Sequence, residues 1–329
     1  MPANLTQQYL KAEAEYRRAT SPDEELQCLQ VMLRELPKHK GTDKLQADLK
    51  TKISRAKKEG EQQSKGGKKG SARIPRQGAG RVVIIGPANC GKSQLLAAMT
   101  RATPAIAPYP FTTNQPQPGM MPYEDIMVQL IDTAPVTADV FDPTNQALIR
   151  GADVVLLVVD LGNDDGVLEL QETVERIAET KSRLGRETCL DEDDIGVTYS
   201  CTFLVGNKTD LPGVEERLEL LQEFCPLEFD YYPVSATEGT GLDELKTAIF
   251  GALDVVRVYT KMPNQKDPDF NKPFTIRRGG TLLDVAHLVH KDFAKNFKHA
   301  RVWGSEVHPG TQVKGDYVVN DKDIVELHM

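Results

Sequence analysis

Eight residues, GPANCGKS from Gly86 to Ser93, have the types and spacing to hold a polyphosphate. The apolar run RVVIIG leads into them and SQLLAAMT follows, so the loop joins a strand to the start of a helix. Gly86 and Gly91 let the backbone curl until its N–H groups converge, and the helix N-terminus adds partial positive charge at the same point. Asn89 and Cys90 lie inside the curl. Lys92 is spaced to reach the β- and γ-phosphates, and the Ser93 hydroxyl to ligate Mg²⁺. Asp132, at the end of IMVQLID, is the carboxylate expected to orient that ion.

A second group of residues would choose the base. LVGNKTDL reads as a buried strand ending in Asn207, Lys208, Thr209 and Asp210. The Asp210 carboxylate can accept two N–H bonds from a guanine edge. Adenine cannot supply them and would leave a buried charge unpaired. PVSATEGTG follows a further strand, and its Ser235, Ala236 and Thr237 complete the expected base pocket, with the Ala236 N–H meeting the guanine carbonyl. Together the two groups specify a guanine nucleotide.

Between them lies LIDTAPV, Leu130 to Val136. Phosphate switches usually carry a glycine three residues past the aspartate, where its N–H bonds the γ-phosphate. Pro135 stands there and has no N–H. Val136 occupies the place where some such switches carry a water-positioning glutamine. The sequence therefore predicts nucleotide binding with one closure contact missing, unless a neighbouring N–H such as that of Ala134 substitutes.

The elements that must position these residues are legible as alternation. From Arg81 short apolar strands alternate with amphipathic helices, which predicts βαβ crossovers and a doubly wound, mostly parallel α/β sheet. Ahead of it, Leu26, Leu29, Leu33 and Leu36 form one helical stripe behind a start signal at Ser21, Pro22 and Glu24. After it, FTIRRGG, a helix opened by Thr281 and Asp284, ARVWG and a final DYVVNDKDIVELHM give a small α+β pattern. The expected boundaries are a helical segment at 1–63, a basic Gly/Ser-rich linker at 64–80, the nucleotide domain at 81–260, a linker at 261–273 and the C-terminal unit at 274–329. The net charge of −8 is uneven: residues 1–80 carry 17 basic and 10 acidic side chains, residues 81–261 carry 13 and 29. A polyanion partner would meet the basic front first. The five scattered cysteines fit a reducing compartment rather than a disulfide framework, and the longest apolar run, VVLLVV, is too short to span a bilayer.

These motifs, in this order, resemble a P-loop GTPase of the Obg–HflX superfamily, and within it the developmentally regulated GTP-binding branch. PFTIRRGGTLLDVAHLVHKDFAKNFKHARVWG and VVNDKDIVEL resemble the TGS domain of that branch, a ubiquitin-like β-grasp module, and HKGTDKLQADLK resembles its helical front. The resemblance implies slow GTP hydrolysis in the cytoplasm, coupled to ribosome or RNA binding and open to a regulatory protein partner. It also assigns Thr113 of PYPFTTNQP, with Thr112 as the alternative, to close over Mg²⁺ and the γ-phosphate. Asn89, by the same likeness, helps hold a potassium ion beside the phosphates. A glycine would be expected where Pro135 stands, and this departure keeps open a non-hydrolysing scaffold that binds guanine nucleotide and RNA.

Overall fold

The computed structural model describes residues 7–18, 22–37, 42, 45–54, 74–100, 116–137, 141–191, 197–224, 229–263, 265, 267–270 and 273–328. Three helices come first: α1 (Gln7–Arg18), α2 (Pro22–Glu35) and α3 (residues 45–54). They share a core of Tyr9, Ala12, Tyr16, Leu29, Met32, Leu36 and Leu49, with Leu26 and Leu33 packed at its edge. The leucine stripe thus faces its helical partners. Ser21 lies outside the described residues.

The central sheet runs β2 (Gln117–Tyr123), β3 (Ile126–Asp132), β1 (Arg81–Ile85), β4 (Val154–Asp160), β7 (Thr198–Asn207) and β5 (Ser182–Gly185), with β6 (Cys189–Leu190) and β8 (Asp230–Pro233) also on β7. Among the described strands, β2 and β6 alone run antiparallel to their neighbours. Alternate residues of β1 serve opposite faces. Val82 and Ile84 enter a core with α4 (Lys92–Met99) and α8 (Leu242–Leu253); Val83 and Ile85 enter one with α5 (Pro143–Arg150), α6 (Gly166–Ala178) and α7 (Val214–Phe224). β2 carries Pro118 and Pro122, which an edge strand tolerates because it has a free side.

Two expected boundaries shift. The 64–80 stretch is not all linker: Ala79 donates to the Met127 carbonyl at 2.8 Å, Gly78 bridges Val128, and Arg76 pairs with Asp153 at 2.8 Å. Gly78 has φ 71°, and a Cβ there would lie 2.1 Å from the Met127 oxygen, so glycine is required. The nucleotide domain ends before 260. β9 (Val255–Thr260) is hydrogen-bonded to β10 (Phe274–Arg277) and β13 (Asp323–His328), inside the second sheet. That sheet runs β10–β9–β13–β11–β12, where β11 is His299–Trp303 and β12 is Thr311–Val313. The helix α9 (Leu282–Val289) packs Leu282, Val285 and Ala286 against it, followed by the short α10 (Lys291–Lys295). This is a β-grasp. The expected start signal is present, with the Asp284 carboxylate accepting the Thr281 N–H at 2.8 Å. The alternation of VVRVYT reads equally as the end of the preceding domain; strand pairing decides which sheet receives it.

The two sheets are joined by a buried arginine. Arg257 on β9 is 3% exposed. Its guanidinium holds Asp321 at 3.0 and 2.7 Å from the last β-grasp hairpin, and it reaches Asp125 at 2.9 Å and Glu124 in the β2–β3 turn. The Phe250 ring lies 5.1 Å beneath it. Tyr259 donates to Asp125. The arginine bond holds the Glu124 carboxyl below the usual range. Burial pushes Asp125 and Asp321 upward, but the Tyr259 and Arg257 bonds at Asp125, and the Arg257 bonds at Asp321, outweigh it and keep both low. Burial and the Asp125 bond push the Tyr259 phenol up to about 12.

Depressed carboxylates contribute stability that is complete above their unfolded pKa and lost as pH falls through the folded value. Arg257→Met keeps the volume and removes the charge. It is expected to cost about 2–3 kcal/mol at pH 7, less than a wholly enclosed pair because the carboxylates remain partly wet. The gap in urea midpoints between wild type and variant should begin to narrow as pH falls below about 4 and close only as pH passes below the lowered folded values; a gap as wide at about pH 2 as at pH 7 would contradict the assignment.

Candidate nucleotide site

The residues of both sequence groups meet at the C-terminal ends of the parallel strands, where open α/β sheets bind ligands. β1 leads into the 86–93 loop, whose Gly86 (φ 150°), Asn89 (φ 60°) and Gly91 (φ 94°) adopt the positive φ that the curl requires. A Cβ at Gly86 would lie 2.5 Å from the Val158 oxygen, and one at Gly91 would lie 2.2 Å from the Asn207 amide nitrogen. The loop opens onto a cavity of about 350 Å³ lined by Asn89, Lys92, Ser93, Gln117, Asp132 and Pro135, among others. A larger cavity, about 710 Å³, sits at the other end of the strands beside Gly151 and Asp153, and among the described residues none of the predicted ones lines it.

Lys92 is 6% exposed and donates to the carbonyls of Gly86 at 3.1 Å and Pro87 at 2.5 Å. Ser93 donates to Asp132 Oδ2 at 2.5 Å. Asp132 is buried, and its Oδ1 has no hydrogen-bond partner among the described residues. Burial pushes its carboxyl above the usual range, against the opposing pull of Ser93 and Lys92. A hydroxyl and an unmatched carboxylate oxygen side by side suit a hard divalent cation, so the residues fit Mg²⁺. Thr112 and Thr113 lie outside the described residues. The Cys90 thiol, pushed up by burial, bonds the Pro87 carbonyl at 3.2 Å and is turned away from the cavity lining.

Asn207 ties the two halves together. Its Nδ2 donates to the Cys90 carbonyl at 2.9 Å, and its Oδ1 accepts the Ala236 N–H at 3.1 Å. The Ala236 N–H, expected to meet the base, is therefore committed to the brace. Asp210 is exposed, and its Oδ1 accepts the Ser235 hydroxyl at 2.6 Å. Lys208, at φ 66°, turns its ammonium back to Asp160 at 2.5 Å, and Asp160 also accepts the Gly162 N–H at 2.8 Å. Gln94 donates to Thr237 at 2.9 Å. Asp160 and Gln94 were missed from the sequence. Asp160 had a signal, as the carboxylate ending VVLLVVD on a strand beside the loop; Gln94 had none.

The 132–136 segment is stitched in place. Thr133 donates to the Ile84 carbonyl at 2.8 Å, and Asn145 to the Ala134 carbonyl at 3.0 Å. The Val136 N–H bonds the Gly86 carbonyl at 3.2 Å, and the Val136 carbonyl accepts from Thr173 at 3.3 Å. Val136 is 1% exposed and packs in the core, where it cannot position water; Pro135 is exposed on the cavity.

Two regions match family models: residues 81–188 match the family described as 50S ribosome-binding GTPase, and residues 256–329 match the TGS domain. A GTP-binding protein of Methanocaldococcus jannaschii is 28% identical over 361 residues, covering 93% of this chain and 92% of its own. Developmentally-regulated G-protein 1 of Arabidopsis thaliana is 25% identical over 366 residues, covering 92% and 90%. The YchF GTPase of Schizosaccharomyces pombe aligns with TM-score 0.50 at 14% identity, over 78% of this chain and 99% of its own, a likeness of fold. The chain thus carries a P-loop GTPase domain followed by a TGS domain.

Replacing Asn207 with Ala leaves the Cys90 carbonyl and the Ala236 N–H without partners. The expected loss is about 2–4 kcal/mol in chemical denaturation. A loss below about 0.5 kcal/mol would show that the brace contributes nothing.

Proposed function

We propose, proceeding from a P-loop GTPase domain joined to a TGS domain, that the chain binds guanine nucleotides and slowly hydrolyses GTP to GDP and phosphate. The observation that carries this reading is the Asn207 connection, because it fixes the distance between the phosphate loop and the Asp210 loop. With Asp210 Oδ1 engaged by Ser235, Oδ2 stays available for the guanine N–H groups. Thr237, hydrogen-bonded to Gln94, borders the place of the base. Since Ala236 is used in the brace, the N–H of Thr237 takes the guanine carbonyl.

Lys92 exchanges its loop carbonyls for phosphate oxygens, which are stronger acceptors because they are charged. Ser93 and Asp132 would hold Mg²⁺, joined by Thr113, and the ion would neutralise charge between the β- and γ-phosphates. Asn89, exposed at the cavity mouth, would help hold potassium where an arginine finger acts in other phosphoryl-transfer sites. Water attacks the γ-phosphorus in line; the new P–O bond forms as the bond to the β-bridging oxygen breaks and GDP departs.

On the same reading, nucleotide state governs association with ribosome or RNA. The description of the matched GTPase family supports this, as does the basic excess of residues 1–80. Arg76 is spoken for by Asp153, so the other basic residues of the front would carry the contact. A second reading, a non-hydrolysing guanine-nucleotide scaffold, is favoured by Pro135 together with the four bonds that pin residues 133–136.

Single-turnover cleavage of γ-labelled GTP, in KCl and in NaCl and with purified ribosomes present, separates the readings. The hydrolase reading expects phosphate release, faster in KCl. Tight GTP binding with no cleavage under any of these conditions would establish the scaffold instead.

A further inference from the structure

The γ-phosphate side of the cavity lacks the N–H that Pro135 cannot supply, and the fold places another donor beside it. Gln117 is the first residue of β2 and the direct cross-strand partner of Asp132 on β3. Directly opposed residues of an antiparallel pair project to the same face, with Cβ atoms about 5 Å apart. Asp132 faces the phosphate loop, so Gln117 does too.

The rest of β2 gives the same orientation independently. Residues 117, 119 and 121 share a face. A Cβ at Gly119 would point at Leu96 and Thr100 of α4, each 2.9 Å away, and Met121 is fully buried in the core that contains Leu95 and Leu96. From Gly119 to Gln117 that face moves toward the α4 N-terminus, where Lys92 and Ser93 stand. Gln117 and Pro135 line one cavity.

The local sequence is Pro116–Gln117–Pro118. Each proline fixes its own φ, and Pro118 restricts Gln117 to extended backbone. Its side chain therefore rises from a stiff base at an exposed edge, and its NH₂ group has two donors to offer.

We propose that the Gln117 carboxamide donates to a γ-phosphate oxygen of GTP and thereby replaces the backbone contact that Pro135 removes. Gln117 is then the residue by which the site tells GTP from GDP. This rests on the guanine-nucleotide reading above and adds to it the identity of the γ-phosphate sensor. The contact is made to a terminal oxygen only, so GDP never experiences it.

Calorimetry on the full chain with Mg²⁺, using GDP and the non-hydrolysable guanosine 5′-(β,γ-imido)triphosphate, tests it. Gln117→Ala is expected to weaken the triphosphate analogue about tenfold and GDP less than twofold. Gln117→Glu, which sets a negative charge against the γ-phosphate, should weaken the analogue further. Adding Pro135→Gly to Gln117→Ala should restore most of the lost affinity by returning a backbone N–H. Equal affinities of wild type and Gln117→Ala for the analogue, or equal weakening of both ligands, would overturn the assignment while leaving the parent reading intact. Wild-type protein that binds neither ligand would overturn both.

Discussion

The site depends on one carboxamide. β1, which delivers the phosphate loop, and β7, which delivers Asp210, are not neighbours; β4 lies between them, so their ends are about 10 Å apart. Asn207 spans that gap by donating to Cys90 and accepting from Ala236, and so draws three loops into one rim. The chain adapts to it at two places. Residue 91 must be glycine because the amide occupies the space of a Cβ, and Lys208 takes a left-handed turn that sends its side chain back to Asp160. A lone N-K-x-D motif could arise by chance. One whose asparagine reaches the carbonyl two residues before the loop lysine is a constructed joint.

The β2–β3 hairpin links this rim to the C-terminal domain. At one end of β2–β3 sit Gln117 and Asp132, across from each other and beside Ser93; at the other end, the Glu124–Asp125 turn is held by Arg257. The seven-pair ladder between them is short and stiff, with Met121 and Val128 fully buried. Arg257 also holds Asp321 of the β-grasp, so the hairpin and the second sheet share one guanidinium. The TGS sheet is therefore tied to the same two strands that present Gln117 and Asp132 to the cavity.

The phosphate loop, the base-side loop and the α/β alternation were legible because each depends on local chemistry: glycines for the curl, alternation for buried strands, and caps such as Thr281 with Asp284. What escaped depends on partners distant in sequence. VVRVYT looks like the last strand of one domain and pairs into another, because nothing within six residues records which edge is open. The commitment of the Ala236 N–H to Asn207 joins residues 29 positions apart. Arg257 gathers acids more than sixty positions away on either side. Pro135 was legible as a missing donor. That Val136 is anchored through Gly86 and Thr173 was not, since an apolar residue in a loop announces burial but not its bonds.

The most direct test of the account is the affinity of the purified chain for GDP, ADP and XDP in the presence of Mg²⁺, measured for the wild type and for Asp210→Asn. The account predicts that the wild type prefers GDP over ADP by at least a hundredfold, and that the variant shifts its preference to XDP. Equal binding of GDP and ADP by the wild type, or a variant that keeps its preference for GDP, would contradict it.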